Sequence, residues 1–167
     1  MNEKILLATR PPSAAPAFME VRPIRFECTG CGNCCKGRGE VYFTGANIRG
    51  AEKILGIKGE EKKKFRRKLI QTKRNGLYIH MTNGRCMLLD DQDRCTIYES
   101  RPLQCSTYPF WPGFFQDEDD FSFLKNECEG IGRRGGEVFS KLAIRRRTLK
   151  TDRDFKELQS GKDKFSL

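Results

Sequence analysis

The sequence predicts a small, irregular α+β fold, with a few short strands and about three helices gathered around a cysteine-rich centre. Three observations lead there. The chain has 167 residues, enough for one domain plus loose ends. Hydrophobic residues make up only 37% of it and charged residues 32%, against a usual ~25% charged. Apolar burial alone is therefore a thin source of stability. Eight cysteines supply another, and four of them fall inside residues 28–35.

The elements follow in order. Residues 1–20 read as a flexible arm, with Pro11, Pro12 and Pro16 among small residues. Val21, Ile24 and Phe26 partly alternate, a strand signal interrupted by Pro23. A turn-rich stretch of Gly and Cys comes next. VYF at 41–43 reads as a short strand, and Thr44 as the N-cap of a helix over 45–55. Ile48, Ala51, Ile54 and Leu55 recur there at helical spacing, and Gly56 is the stop. A second helix is expected over 60–74, acidic first and basic after, ended by Asn75-Gly76. Its apolar side is Phe65, Leu69 and Ile70.

LYIHM (77–81) and CMLLD (86–90) read as two strands of a hairpin around Thr82-Asn83-Gly84. A tight turn at 90–93 leads to CTIY (95–98). Pro102, Pro109, Pro112 and Gly113 make 99–115 loop with single helical turns, and the acidic run 117–120 reads as a solvated loop. Phe110, Trp111, Phe114 and Phe115 form either a small core on the cysteine loop or a docking patch. A last helix is expected over 136–149, with Val138, Phe139, Leu142 and Ala143 inward, followed by a polar tail. No internal repeat is visible.

No apolar run reaches the ~18 residues of a membrane span. The stretch from Ile5 to Ala8 is broken by Arg10, Pro11 and Pro12, short of the ~7–15 residues of a signal peptide's apolar region. The expected location is the cytoplasm, where thiols stay reduced. Clustered cysteines there read as metal ligands or redox groups before disulfides. The formal net charge of +10 lies in two blocks, one from Lys62 to Arg74 and one from Arg133 to Lys150. These are solvated faces, or surfaces for a protein or nucleic-acid partner.

Cys28, Cys31, Cys34 and Cys35 spell C-x2-C-x2-C-C; Cys86, Cys95, Cys105 and Cys128 follow singly. All eight are candidate metal ligands. Two thiolates separated by two residues grip one ion from a tight turn, and Gly30 and Gly32 permit such turns. The first three match the start of a bacterial ferredoxin motif, but no C-x3-C-P completes it. The C-x2-C pair also suits zinc. The cofactor is thus zinc or an iron–sulfur cluster. Side chains of adjacent residues diverge, on a helix by about 100°. Cys34 and Cys35 are therefore expected to serve two sites or two atoms of one cluster. Eight cysteines make two centres of four, or one centre with four left over.

Zinc held by four thiolates carries a formal charge of about −2. Lys36, Arg38, Arg85, Arg94 and Arg101 lie near the cysteines in sequence and are candidates to offset it. The single histidine, His80, reads as a plain strand residue or as a ligand replacing one cysteine. A hydrolase is not indicated, because His80 has no triad partner in view. Nor is a Rossmann-type methyltransferase, since no Gly-rich strand-to-helix loop is present.

The stretch from Phe26 through the four clustered cysteines, then GRCMLLDDQDRCTIYESRPLQCSTYPF, resembles the bacterial CxxCxxCC cysteine-cluster family, also called YkgJ-like. The likeness runs to Phe110, with Cys128 as the last cysteine. Cys86, Cys95, Ile97, Tyr98, Arg101, Pro102, Cys105, Tyr108 and Pro109 fill the motif's places. The resemblance implies zinc or iron chelation by the eight cysteines, with Arg101, Tyr98 and Tyr108 beside the cofactor. It places a cysteine-cluster metal-binding domain at 21–130 and a basic helix and tail at 131–167. Members are labelled iron–sulfur oxidoreductases, and a longer relative is flagellin lysine N-methylase, so catalysis is implied only loosely. Two roles follow: an iron–sulfur electron-transfer or modification-enzyme component, or a zinc-stapled module docking a partner through its basic faces. One departure is Ser106, where the family commonly has Arg.

Overall fold

The computed structural model describes residues 22–160. The expected arm at 1–20, Val21 and residues 161–167 lie outside them. In chain order the strands are β1 (Ile24–Phe26), β2 (Arg38–Phe43), β3 (Thr72–Arg74), β4 (Leu77–Asn83) and β5 (Glu137–Phe139). The helices are α1 (Gly45–Ile54), α2 (Glu60–Leu69), α3 (Leu103–Thr107), α4 (Glu118–Glu127) and α5 (Lys141–Gln159). Short 3-10 turns occur at Asn33–Cys35, Tyr98–Ser100 and Pro112–Phe115. The class is α+β as expected, but the described residues hold five α-helices instead of about three.

Two small antiparallel sheets organise the chain. β1 pairs with β5, placing Ile24 opposite Phe139. The other sheet has the order β2-β4-β3. β4 pairs with β2 from Arg38↔Asn83 to Phe43↔Tyr78, so the partner of the LYIHM strand is β2, not residues 86–90. Residues 86–90 run as turns, with Leu88 buried beneath the sheet and one isolated bridge, Leu89↔Cys95. A buried anchor at Leu88 suits a turn as well as a strand, which is why the apolar run misled.

Local chemistry explains the boundaries. Thr44 and Asn47 form a reciprocal capping box at the start of α1. Gly56, at φ 67°, follows its end. α2 stops at Leu69, short of the expected 74, because Thr72–Arg74 pair with β4. Asn75 and Gly76, at φ 51° and 81°, form the tight turn between β3 and β4. Asn-Gly was thus a hairpin signal, not a helix stop.

The acidic run is also a correction. Asp117 accepts a hydrogen bond from the Asp120 amide at 2.8 Å and caps α4, whose first turn carries Glu118, Asp119 and Asp120. Acidic residues at that end are favoured by the helix dipole. The last helix starts later than expected, because β5 claims residues 137–139 and Ser140 caps α5. The new phase leaves Val138 54% and Leu142 55% exposed and turns Ile144, Thr148, Thr151 and Leu158 inward. The helix continues to Gln159, through part of the expected tail.

Three apolar clusters result. One joins Ile24, Phe110, Phe114, Phe115, Leu124, Phe139 and Ile144, and includes Cys128. The aromatic stretch is therefore core. A second joins Phe43, Ile48, Ala51, Phe65, Leu69, Tyr78, Leu88 and Ile97, with Cys86 and Cys95 packed against it. Leu158 of α5 closes a third on Tyr42, Leu77 and Ile79. The first two clusters both reach cysteines, and the candidate site lies where they meet.

Candidate metal centre

The loop carrying Cys28 to Cys35 is shaped by glycine. Gly30 and Gly32 both have φ 73°. A Cβ on Gly32 would stand 2.1 Å from the Asp93 carbonyl oxygen, so no other residue fits there. The Cys35 amide donates to the Gly32 carbonyl at 2.8 Å, closing the 3-10 turn. The Cys86 amide donates to the Cys35 carbonyl at 2.9 Å, which holds a distant cysteine beside the loop.

Cys95 is placed by its bridge to Leu89 and by the neighbouring Thr96 amide, which donates to the Leu88 carbonyl at 2.9 Å. Cys105 rides on α3. Its neighbour Gln104 is buried, accepts from the Tyr42 amide at 2.8 Å and donates to the Glu40 carbonyl at 3.2 Å. That clip fixes α3 to the edge of β2. Cys128 ends α4, its amide donating to the Leu124 carbonyl at 2.9 Å. The Glu27 amide then donates to the Gly130 carbonyl at 3.2 Å, and a Cβ on Gly130 would meet the Glu27 carbonyl at 2.4 Å.

The outcome is one cavity of about 350 Å³ lined by Cys28, Cys31, Cys34, Cys35, Cys86, Cys95, Cys105 and Cys128. Arg101, Tyr98 and Tyr108 line it too. The eight cysteines, Arg101, Tyr98 and Tyr108 are thus brought to this one place. Sulfur donors alone suit zinc or iron–sulfur chemistry and do not suit magnesium or calcium. Among the described residues, no three His, Cys, Asp or Glu groups stand close enough to hold one ion as they are. Binding would therefore draw the sulfurs inward by side-chain rotation.

The chain matches the CxxCxxCC family, described as a zinc- or iron-chelating domain, over residues 27–129. It belongs to that family. No solved structure matches it.

In this member of the CxxCxxCC family the adjacent cysteines do not diverge as expected. The 3-10 turn brings the Sγ atoms of Cys34 and Cys35 to 3.9 Å. The hydrogen bond from the Cys35 thiol, aided by the Arg101 charge, lowers the Cys34 thiol to about 7. The same contact, with burial, pushes Cys35 up. Burial also raises Cys86, Cys95, Cys105 and Cys128. These buried thiols resist ionising without a cation, and a metal ion would supply that charge.

The basic residues sort themselves. Lys36 pairs with Asp93 at 2.5 Å, and Arg85 bonds the same carboxylate, which offsets one of the two positive charges. Arg101 instead stacks 3.4 Å above the Tyr98 ring, its Nε donating to the Tyr98 carbonyl at 2.8 Å, and faces the thiols. Arg94 also lines the cavity, whereas Arg38 is exposed on β2. Tyr98 lines the cavity near Cys28 and Tyr108 near Cys128, and burial raises Tyr108. Ser106 donates to the Leu103 carbonyl at 3.0 Å and lies in a neighbouring cleft together with Arg147 and Lys150, so positive charge persists near the missing arginine.

His80 is not among the cavity residues. It is buried in β4, its Nδ1 2.9 Å from the Leu69 carbonyl and its ring edge-on to Phe43. The strand reading is the correct one. Gln104, Asp93 and Gly130 shape the site without having been singled out. Gln104 sits inside the R-P-x2-C motif, whereas Asp93 and Gly130 carry no signal of their own.

Proposed function

We propose that this protein is a cysteine-ligated metal protein whose centre is iron–sulfur in type and serves electron transfer or a modification enzyme. One observation carries the reading: all eight thiols line a single solvent-reachable cavity with apolar walls. A purely structural zinc site is a closed set of four ligands. Here twice that number of thiols is present, and Cys28 and Cys34 remain exposed.

Cys28, Cys31, Cys34, Cys35, Cys86, Cys95, Cys105 and Cys128 would hold the metal, which would supply a one-electron site or, as zinc, a fixed cross-link. The remaining residues condition that place. Arg101 offsets thiolate charge from one wall. The hydroxyls of Tyr98 and Tyr108 would be placed to donate to sulfur, which favours the thiolate form and tunes its electron density. Phe43, Leu88, Ile97 and Trp111 keep water from the walls.

The second reading, a zinc-stapled docking module, draws on the basic helices. Their charge is partly spent internally. Lys62 and Arg66 pair with Glu52, Lys63 with Glu60, Lys150 with Asp154 and Lys156 with Asp152. That weakens the case for a polyanion surface. Metal analysis and a visible spectrum on protein purified without oxygen decide between the two. Iron with sulfide and brown colour is expected. Colourless, air-stable zinc protein would overturn the iron–sulfur reading.

A further inference from the structure

The cleft beside the metal cavity is built from residues that the metal does not use. It has a volume of about 550 Å³ and lies between the end of α3, the middle of α5 and the β1–β5 ribbon. Pockets of ~300–1,000 Å³ take small organic molecules. At one end the cleft reaches Cys28 and Tyr108, which also line the cavity. We propose that this cleft binds a small organic monocarboxylate with an apolar body, and that Arg147 takes the carboxylate. The proposal goes beyond the metal-binding reading and does not depend on it.

Arg147 is the centre of the argument. Its guanidinium lies 4.6 Å from the centre of the Phe139 ring and 5.2 Å from that of Phe110. Both rings are buried in the aromatic cluster, so they are fixed supports. A ring face attracts the cation but accepts no ordinary hydrogen bond, so the N–H donors are left over. The neighbouring charges are already matched. Lys150 pairs with Asp154, and Arg133 pairs with Glu27 at 3.2 Å. Among the described residues, no carboxylate meets Arg147. An arginine backed by aromatic rings, with its donors unspent, is suited to grip a carboxylate through two parallel hydrogen bonds.

The rest of the lining says what the carboxylate is attached to. Phe26, Phe110 and Phe139 give the cleft an apolar wall. Ser106 and Thr107 donate to the Leu103 carbonyl at 3.0 and 2.9 Å, and Thr151 donates to the Arg147 carbonyl at 2.9 Å. Their hydrogens are committed, so these hydroxyls offer no donor to a second anionic group. Glu137, exposed on the same lining, repels a second negative charge. A dianion such as phosphate is disfavoured on both counts. One carboxylate on an apolar body fits the single free cation and the phenylalanine wall. Bound there, it would stand beside Cys28 and Tyr108, at the edge of the cavity.

The test is an amide NMR titration of the full chain at constant ionic strength, with benzoate as the probe. Benzoate should shift the amides of Gly136, Phe139 and Arg147. Benzamide keeps the ring and loses the charge, and it should bind at least about tenfold more weakly, as should inorganic phosphate. Arg147→Gln should weaken benzoate about tenfold or more. Arg145→Gln removes the same charge from the same helix outside the cleft and should change affinity less than about twofold. Glu137→Gln should tighten binding. Should Arg147→Gln not fold, Arg147→Lys keeps the cation against the rings without the paired grip, and it should still bind benzoate more weakly than Arg145→Gln does. No shift at the cleft amides overturns the proposal. So does equal binding of benzamide or phosphate, or an equal loss in the Arg145 and Arg147 variants. No tightening in Glu137→Gln overturns the restriction to a single charge.

Discussion

The sheet half and the cysteine half of this molecule are held by different forces. β2, β4 and β3 share a continuous ladder, and α1 and α2 bury Ile48, Ala51 and Leu69 completely beneath it. The loops around residues 27–37 and 84–96 have little such support. They are irregular and are joined to one another by a few polar contacts, the Cys86 amide to the Cys35 carbonyl, the Gly84 amide to the Gly37 carbonyl and the Lys36–Asp93 ion pair. The first half can stand on apolar burial. The second needs something at its centre. Composition made apolar burial a thin source of stability, and the loops around the cysteines are where it is thinnest.

Metal removal is the strongest test of the contrast, because a structural zinc site can contribute ~10–16 kcal/mol. Chelation should abolish hydrogen-exchange protection of the amides of Cys35 and Cys86, while the amides of Tyr42 and Ile79 stay protected. Equal loss in both places would erase the distinction. Next in size is Leu69→Ala, which empties a fully buried position away from the cavity. It should cost about 2–5 kcal/mol in denaturant unfolding. Its metal content per folded chain should not change, and a parallel loss of metal would show the two halves to be one unit.

Glu52→Gln probes the same half electrostatically. Glu52 is 2% exposed and accepts from Arg66 Nε at 2.5 Å and Nη2 at 3.1 Å. The Arg66 hydrogen bonds hold its carboxyl below the usual range. Stability from this pair is therefore present above the unfolded carboxyl's ordinary value and is lost as pH falls through the lowered one. The variant should be about 1–3 kcal/mol less stable at neutral pH. It should also show a shallower loss toward acid, and an unchanged acid slope would assign that slope to other carboxylates. The smallest effect belongs to Thr44→Ala, about 1 kcal/mol from the lost cap of α1. Thermal unfolding would register it, again with metal content unaltered.

Legibility differed between the halves in the opposite sense. The cysteine half could be read closely: each cysteine, Arg101, Tyr98 and Tyr108 line the cavity, and the glycine turns at Gly30 and Gly32 have the positive φ the motif required. The elements that carry the cavity were read less well than the residues lining it. Asn75-Gly76 was assigned to a helix end because Lys73 and Arg74 continued a basic run, but pairing with β4 overrode that pattern. The acidic cap of α4 was taken as loop because charge was weighed before capping. Val138 and Leu142 were placed inward from helical spacing that ignored the strand and cap at 137–140.

By itself the sequence determined the donor chemistry: eight sulfurs, their local spacing, and turns only glycine can make. It also determined the cap of α1 and the α+β class, because those are local or compositional properties. Which cysteines stand together was decided by tertiary structure alone. Cys28 and Cys128 line one cavity because β1 pairs with β5 and Glu27 bonds Gly130. Cys35 and Cys86 meet through one backbone bond across the loop. Such contacts join residues far apart in the chain, and their energy comes from strand pairing and apolar burial that no local motif encodes.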